Sequence, residues 1–354
     1  EVLIMDGPTA VLTTSEIDVL FRIIRALKDH GVSIIYISHK LDEVKELADR
    51  VTVLRDGYRI ATEQVSDLSE DDMARLMVGR ELSTLFPPKP DRSQAKPAVL
   101  DVQNVSCPKY VENASFTLYE GEILGFAGLI GAGRTELMEC VVGLRRRSSG
   151  DICYRNQPLW GHSYADAIKN NVVYLSEDRK GKGLFTALPL APNVTVLSLQ
   201  DHVTKFGFLD SKKEEATLDR TVQEFEVRLP SSKAMLGMLS GGNQQKIALG
   251  KMMQVEPDIV ILDEPTRGID VGTKQQVYRF VRELVKQGKS CILISSELSE
   301  IIGLSDRVIV MRSGRIVGEL LGDEINEEEI MLYATGIKGG VGDEPSDHRQ
   351  ASQA

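Results

Sequence analysis

Leu239-Ser240-Gly241-Gly242-Asn243-Gln244-Gln245-Lys246, followed by Ile259-Val260-Ile261-Leu262-Asp263-Glu264-Pro265, is the part of this chain that decides its fold. The second stretch is an apolar strand ending in two carboxylates, a donor set that suits a hard divalent cation and the activation of water. The first is a Ser-Gly-Gly turn opening a helix, so its backbone N–H groups and the positive end of the helix dipole can face a phosphate. Upstream, Gly128-Leu129-Ile130-Gly131-Ala132-Gly133-Arg134-Thr135 has the spacing of a P-loop, with Arg in the place of Lys. Gly128, Gly131 and Gly133 allow the backbone to curl around phosphates, and Thr135 can place a hydroxyl on Mg²⁺. A glycine-rich turn without chemistry is the plainer reading. The apolar Ile123-Leu124-Gly125-Phe126 before it and the helical pattern from Glu136 to Val142 after it favour the P-loop. Arg134 keeps the positive charge but is a planar fork instead of a compact ammonium, able to grip phosphate bidentately yet not to sit where Lys sits.

The chain repeats itself at a fixed offset. Asp6 and Asp263 are 257 positions apart (263 − 6 = 257), as are His39 and Ser296, and Gly57 and Gly314. The offset aligns Val2-Leu3-Ile4-Met5-Asp6-Gly7-Pro8-Thr9 with Ile259-Val260-Ile261-Leu262-Asp263-Glu264-Pro265-Thr266 without a gap. A repeat of this length signals two copies of one domain. Carried back by the offset, the P-loop falls before residue 1, which is Glu and opens inside a strand. The reading is a C-terminal piece of a tandem protein, without its first P-loop and first Ser-Gly-Gly turn. Gly7 stands where Glu264 stands, so that copy lacks a carboxylate at this position.

At 354 residues and 42% hydrophobic content, about two domains with real cores are expected. A net charge of −10 argues against a nucleic-acid partner. Cys107, Cys140, Cys153 and Cys291 show no paired metal spacing and read as thiols of a reducing compartment. No apolar run approaches the roughly 18–20 residues of a membrane span, so membrane contact has to pass through a partner. Buried-type strands at Val2–Met5 and Ser33–Ile37 alternate with helical patterns at Glu16–Asp29 and Leu41–Ala48. A hairpin-like Val51–Ala61 follows, turning at Asp56-Gly57. This is an α/β arrangement with a parallel sheet covered on both faces. The expected organisation is 1–84 as the end of the first copy, 85–97 as a Pro-rich linker, 98–336 as the second copy and 337–354 as a disordered tail. Helical pattern interrupts the alternation at about 189–240.

The three motifs in this order resemble the nucleotide-binding domain of an ABC transporter. The combination Gly133-Arg134-Thr135-Glu136, Ser176-Glu177-Asp178-Arg179-Lys180, Gly242-Asn243-Gln244-Gln245-Lys246 and Ser295-Ser296-Glu297-Leu298 resembles, more narrowly, the tandem ATPase subunit of bacterial monosaccharide importers of the ribose, galactose and xylose type. The resemblance implies a P-loop NTPase fold with a helical subdomain in the 189–240 interval, and ATP and Mg²⁺ as cofactors. It carries nucleotide contacts onto Gly128, Gly131, Ala132, Gly133, Arg134, Thr135 and Glu136, onto Glu177, and onto Ser240, Gly241 and Gly242. Thr135 and Asp263 become the metal-facing pair. Glu264 becomes the residue that polarises water. Family domains carry a His against the γ-phosphate where Ser296 stands, and His39 keeps it. Asp270 matches the loop that crosses between two such domains, although a helix N-cap explains that Asp almost as well. Tyr110, in Cys107-Pro108-Lys109-Tyr110, is a weak candidate to stack on adenine.

The partners implied are transmembrane permease subunits and, indirectly, a periplasmic sugar-binding protein. The place implied is the cytoplasmic face of the bacterial inner membrane. Sites in such proteins are shared between two domains, so the chain as given is expected to close neither. Two rivals remain: a soluble twin-ABC factor without a permease, against which the short Pro-rich linker argues, and a non-catalytic product that binds nucleotide weakly, which Gly7 favours.

Overall fold

The computed structural model describes residues 2–9, 14–38, 40–55, 58–69, 72–73, 76, 86–89, 96–155, 157–158 and 163–339. The chain divides into two units, residues 1–85 with 268–276, and residues 86–267 with 277–354. His39 and the turn at Asp56-Gly57 lie outside the described residues, as do 90–95 of the Pro-rich segment and 340–354 of the tail.

In the first unit, β1 (Val2–Asp6) pairs in parallel with β2 (Ser33–Ile37), and α1 (Thr14–Asp29) forms the crossover between them. After α2 (Leu41–Leu47), β3 (Arg50–Arg55) and β4 (Tyr58–Gln64) form an antiparallel hairpin. Val44, Val65 and Met73 make a small core there.

The second unit is built on two sheets. β5 (Ala98–Cys107), β6 (Val111–Tyr119), β8 (Ser149–Tyr154) and β9 (Gln157–Pro158) form an antiparallel sheet in the order β6-β5-β8-β9. The central sheet uses β7 (Ile123–Ala127), β10 (Val172–Leu175), β11 (Ile259–Asp263), β12 (Ser290–Ile294), β13 (Arg307–Arg312) and β14 (Arg315–Leu321), in the order β10-β11-β12-β7-β13-β14. All its pairings are parallel except the β13–β14 hairpin. Every residue of β7, β10, β11 and β12 is buried, as befits strands of a parallel sheet covered on both faces. One core, including Leu100, Phe126, Leu137, Ile261 and Ile292, runs between the two sheets through α3 (Arg134–Val141).

The helical interval holds α5 (Leu190–Thr195), reached after α4 (Tyr164–Lys169), then a 3₁₀ turn at Val196–His202 and α6 (Ser211–Glu224). It ends against α7 (Gly241–Met253). Asp210 caps α6 by accepting from the N–H groups of Lys212 and Lys213. The remaining helices are α8 (Val271–Lys286), α9 (Leu298–Leu304) and α10 (Glu327–Thr335). Within the segment expected to be a linker, Phe86 is packed: its ring lies 4.9 Å from that of Tyr278.

The repeat offset reappears in the element bounds. β1, α1, β2, α2, β3 and β4 begin and end 257 positions before β11, α8, β12, α9, β13 and β14. The two hairpins also share a register shift at corresponding places, Val53/Leu54 and Val310/Met311.

Candidate functional site

Four neighbouring parallel strands, β10, β11, β12 and β7, bring their C-terminal ends together, and each leads into a segment singled out by sequence. In register, Asp263 lies beside Ile294 and Ile294 beside Phe126. The loop after β7, the carboxylates after β11 and Ser295-Ser296 after β12 therefore meet at one edge, where open α/β sheets place ligands. Gly128 takes φ 147°, and a Cβ there would meet the Met311 carbonyl oxygen at 2.3 Å. Gly133, at φ 95°, likewise faces the Tyr110 carbonyl at 2.6 Å. These two glycines are dictated by crowding, whereas Gly131 at φ 80° has open space around it. The Ala132 N–H closes the turn onto the Leu129 carbonyl at 3.0 Å, so it is an internal bond of the loop.

Asp263 is fully buried at the end of β11. Its Oδ2 accepts from the Tyr174 hydroxyl at 2.7 Å, while its Oδ1 has no hydrogen-bond partner. Burial raises the Asp263 carboxyl above its ordinary range, and the Tyr174 and Thr135 hydroxyls oppose that rise. Burial, then the negative charge of Asp263, also raises the Tyr174 phenol. A buried carboxylate oxygen left without a donor is costly, and one beside a threonine hydroxyl fits a hard cation. Mg²⁺ characteristically takes one or two protein oxygens and fills its shell with water and phosphate oxygens.

Glu264 sits in the left-handed region at φ 49°, and its N–H donates to the Ile294 carbonyl at 2.9 Å. Gly7, at the corresponding place, has φ 53° and donates to Ile37 at 2.9 Å. Burial pushes the Glu264 carboxyl up to about 7, against the lowering effects of the Arg134 charge and of the hydroxyl of Ser296. That hydroxyl donates to Glu264 Oε2 at 3.0 Å.

Arg134 is 8% exposed and donates from one guanidinium nitrogen to the Ser295 carbonyl at 2.8 Å. Burial lowers its pKa, while the charges of Glu264 and Asp263 raise it. The side chain thus lies under the site between β12 and the carboxylates. The expectation of a fork aimed only at phosphate missed this anchor, because Ser295 is remote in sequence.

The other expected residues are placed less directly. Glu136 stands in the first turn of α3. Glu177 is ion-paired with Arg267. Arg179 donates to the Gly241 carbonyl at 3.0 Å and to the Arg267 carbonyl at 2.6 Å, linking the opening of α7 to the loop after the carboxylates. Ser240 precedes α7 and accepts from the Asn243 side chain at 3.0 Å. Gly242 is buried within that first turn. Asp270 accepts from the N–H and hydroxyl of Thr273, which is N-cap geometry. The Tyr110 ring carries the Arg145 guanidinium at 4.5 Å on one face. Sequence reasoning missed Tyr174 and gave Arg179 no role of its own. The one available signal was the position of both on and just after the strand leading to Glu177.

A family model described as ABC transporter matches residues 111–267. The ribose import ATP-binding protein RbsA 2 of Rhizobium meliloti (strain 1021) is 49% identical over 337 residues, covering 95% of this chain and 65% of that protein. The ribose import ATP-binding protein RbsA of Clostridium perfringens (strain 13 / Type A) is 43% identical, covering 95% of this chain and 67% of that protein. The galactose/methyl galactoside import ATP-binding protein MglA of Fusobacterium nucleatum is also 43% identical, over 94% of this chain and 66% of that one. The chain therefore spans about two thirds of the length of these relatives. Among solved structures, a nucleotide-free ATP-binding cassette from an ABC transporter superposes with a TM-score of 0.55 at 20% identity, over 68% of this chain and 96% of that one. A dimeric cassette bound to ADP and Pi gives a TM-score of 0.55 at 17% identity, over 63% and 98%. Those structures share the P-loop NTPase fold of an ATP-binding cassette, and by its relatives the chain belongs to the family of ribose and galactose import ATP-binding proteins of ABC transporters.

Proposed function

We propose that this chain binds Mg-ATP in its second unit and is the ATP-binding, ATP-hydrolysing part of an importer that moves a monosaccharide across the bacterial inner membrane. The observation that carries the reading is the fully buried carboxylate of Asp263, whose Oδ1 has no hydrogen-bond partner and whose pKa Thr135 lowers, at the strand edge where the loop Gly128–Thr135 opens a helix. Thr135 and Asp263 would hold the Mg²⁺. When bound, the ion would supply charge that neutralises the phosphates. Gly131, Gly133 and the start of α3 offer N–H groups to those phosphates, and Glu136 and Glu177 flank them. Glu264, poised near neutral pH, suits the polarising of an attacking water. Ser240, Gly241 and Gly242 would form a second phosphate-facing turn for a neighbouring domain, and His39, the repeat counterpart of Ser296, would face the γ-phosphate in the first copy.

Residues 1–84 correspond, on this reading, to the end of a nucleotide-binding domain, as the elements from β11 onward do. Permease subunits are the membrane partner, with a periplasmic sugar-binding protein acting through them, and the protein works at the cytoplasmic face. No described helix is long and apolar enough to cross a membrane.

The test is calorimetric titration of Mg-ATP into the wild type, Arg134→Lys, Arg134→Ala and Asp263→Ala. Saturable binding by the wild type, weakened by Arg134→Ala and stripped of its Mg²⁺ dependence by Asp263→Ala, is expected. Metal-independent binding, or none, would overturn the reading. Co-purification with membrane subunits tests the partner.

A second reading, a nucleotide-binding but non-catalytic subunit, is favoured by Gly7 and by the Ser296 hydroxyl occupying Glu264. Measured on a version extended to carry a first P-loop and a first Ser-Gly-Gly turn, turnover abolished by Glu264→Gln selects the first reading. Binding without turnover selects the second.

A further inference from the structure

Glu300, on α9, is fully buried and gathers hydroxyls from three directions. Its Oε1 accepts from Thr266 at 2.5 Å and from Tyr278 at 2.6 Å, and its Oε2 accepts from Ser295 at 2.8 Å. Thr266 lies two residues after Glu264, and Ser295 immediately precedes Ser296. The Ser295 carbonyl anchors Arg134, and its hydroxyl also accepts from the Glu297 N–H at 3.0 Å. One carboxylate therefore grips both loops that carry the facing pair Glu264 and Ser296.

The first unit carries a related arrangement at the repeat positions. Glu43, 257 positions before Glu300, is 3% exposed and accepts from Ser38 at 3.1 Å, the counterpart of Ser295. Thr9, the counterpart of Thr266, lowers the pKa of the same carboxylate against the rise that burial causes. The Lys40 N–H donates to the Ser38 hydroxyl at 3.1 Å, as that of Glu297 does to Ser295. A tyrosine completes both sets, yet from different elements: Tyr36 on β2 donates to Glu43 at 2.7 Å, whereas Tyr278 lies on α8. The counterpart of Tyr278 is Phe21, which has no hydroxyl. The serine, threonine and carboxylate stay fixed while the third donor changes its origin. Packing alone does not require that pattern; a carboxylate that must join the same two loops does.

We infer that Glu300 is a positioning residue, a pin that couples the loop Glu264–Arg267 to Ser295-Ser296 and so sets the spacing of Glu264 from Ser296 and the anchor of Arg134. The catalytic consequence rests on the proposed function; the mechanical coupling does not. Two measurements on the full chain separate them.

The first is amide hydrogen exchange without nucleotide on Thr266→Val, Ser295→Ala and Glu300→Gln. Thr266→Val should speed exchange across Ser295–Glu297, and Ser295→Ala should speed it across Glu264–Arg267, each about tenfold, the worth of one hydrogen bond to a charged acceptor. Glu300→Gln should do both, and the two mild variants decide the matter should Glu300→Gln fail to fold. Acceleration confined to the mutated segment overturns the coupling.

The second measurement compares affinity for Mg-ATP and for metal-free ATP. Weakening of about tenfold in the Mg²⁺-bound form, as for other residues that orient a metal site, with metal-free affinity within twofold of wild type, supports the positioning role. Equal loss in both forms overturns it. Absence of Mg-ATP binding by the wild type would overturn the proposed function, while the exchange result still decides the coupling.

Discussion

The strands Val2–Asp6 and Ile259–Asp263 lie 257 positions apart, carry nearly the same apolar pattern and pair with their neighbours in the same register. Yet Ile261 is 0% exposed and its counterpart Ile4 is 63% exposed. The charged residues diverge in the same way. Arg282 and Asp306 form an ion pair with side chains 2% and 3% exposed. Their counterparts, Arg25 and Asp49, do not meet. Arg25 pairs with Glu46, and Asp49, 74% exposed, pairs with Lys28. The difference lies in the neighbours. β11 is flanked on both sides by strands and sits between covered faces, whereas β1 pairs with β2 alone among the described residues. An apolar strand pattern states what a strand is able to bury, and the surrounding sheet decides whether it does so.

The sharpest way to break this comparison is through the buried pair. Arg282→Ala removes the guanidinium of a buried ion pair, leaving Asp306 the Ile123 N–H, and should cost about 3–5 kcal/mol, while Arg25→Ala should cost less than about 1 kcal/mol. Urea denaturation of both variants measures the contrast, and equal losses would mean that the first unit is as well packed as the second. Ile261→Ala should cost about 2–5 kcal/mol through a lost core contact and a cavity, against about 0.5 kcal/mol or less for the exposed Ile4→Ala.

A third contrast is in pH. Glu264 has its folded pKa raised to about 7 by burial, above the unfolded value of about 4.3. Its protonated form therefore favours the fold at low pH, and that contribution is lost as pH rises through about 7. Glu264→Gln should flatten the decline in Tm between about pH 4.5 and 7 and leave the variant more stable than wild type at pH 8. An unchanged profile would show that the carboxylate is solvated. Gly7 offers no carboxylate to titrate. The smallest expected effect is in the backbone: because Glu264 has positive φ, Glu264→Gly should be more stable than Glu264→Ala by about 1 kcal/mol.

Much of the local geometry of the candidate site was legible in the sequence, because motif spacing is local geometry. The glycines of Gly128–Gly133, the helix opening at Arg134 and the carboxylates after Ile259–Leu262 follow from residues close in the chain. The parts that were not legible depend on distant partners. Arg134 meets the Ser295 carbonyl, Asp263 meets Tyr174, and Arg179 spans Gly241 and Arg267. Phe86 reads as part of a Pro-rich linker until the ring of Tyr278 is beside it. In each case composition gave the type of side chain and only the folded sheet gave its direction.

The shared left-handed backbone at Gly7 and Glu264 also bears on how such sites are lost in evolution. Strain held at a functional position is often relieved by the same substitution that removes the function. Here the residue that deletes the carboxylate is the one the backbone tolerates best. Exchange to glycine at this position meets little opposition from the backbone, so on the proposed function the demand for a carboxylate is what favours glutamate. Once the work passes to a partner site, the exchange is hard to reverse, because restoring glutamate reinstates the strain before any benefit returns.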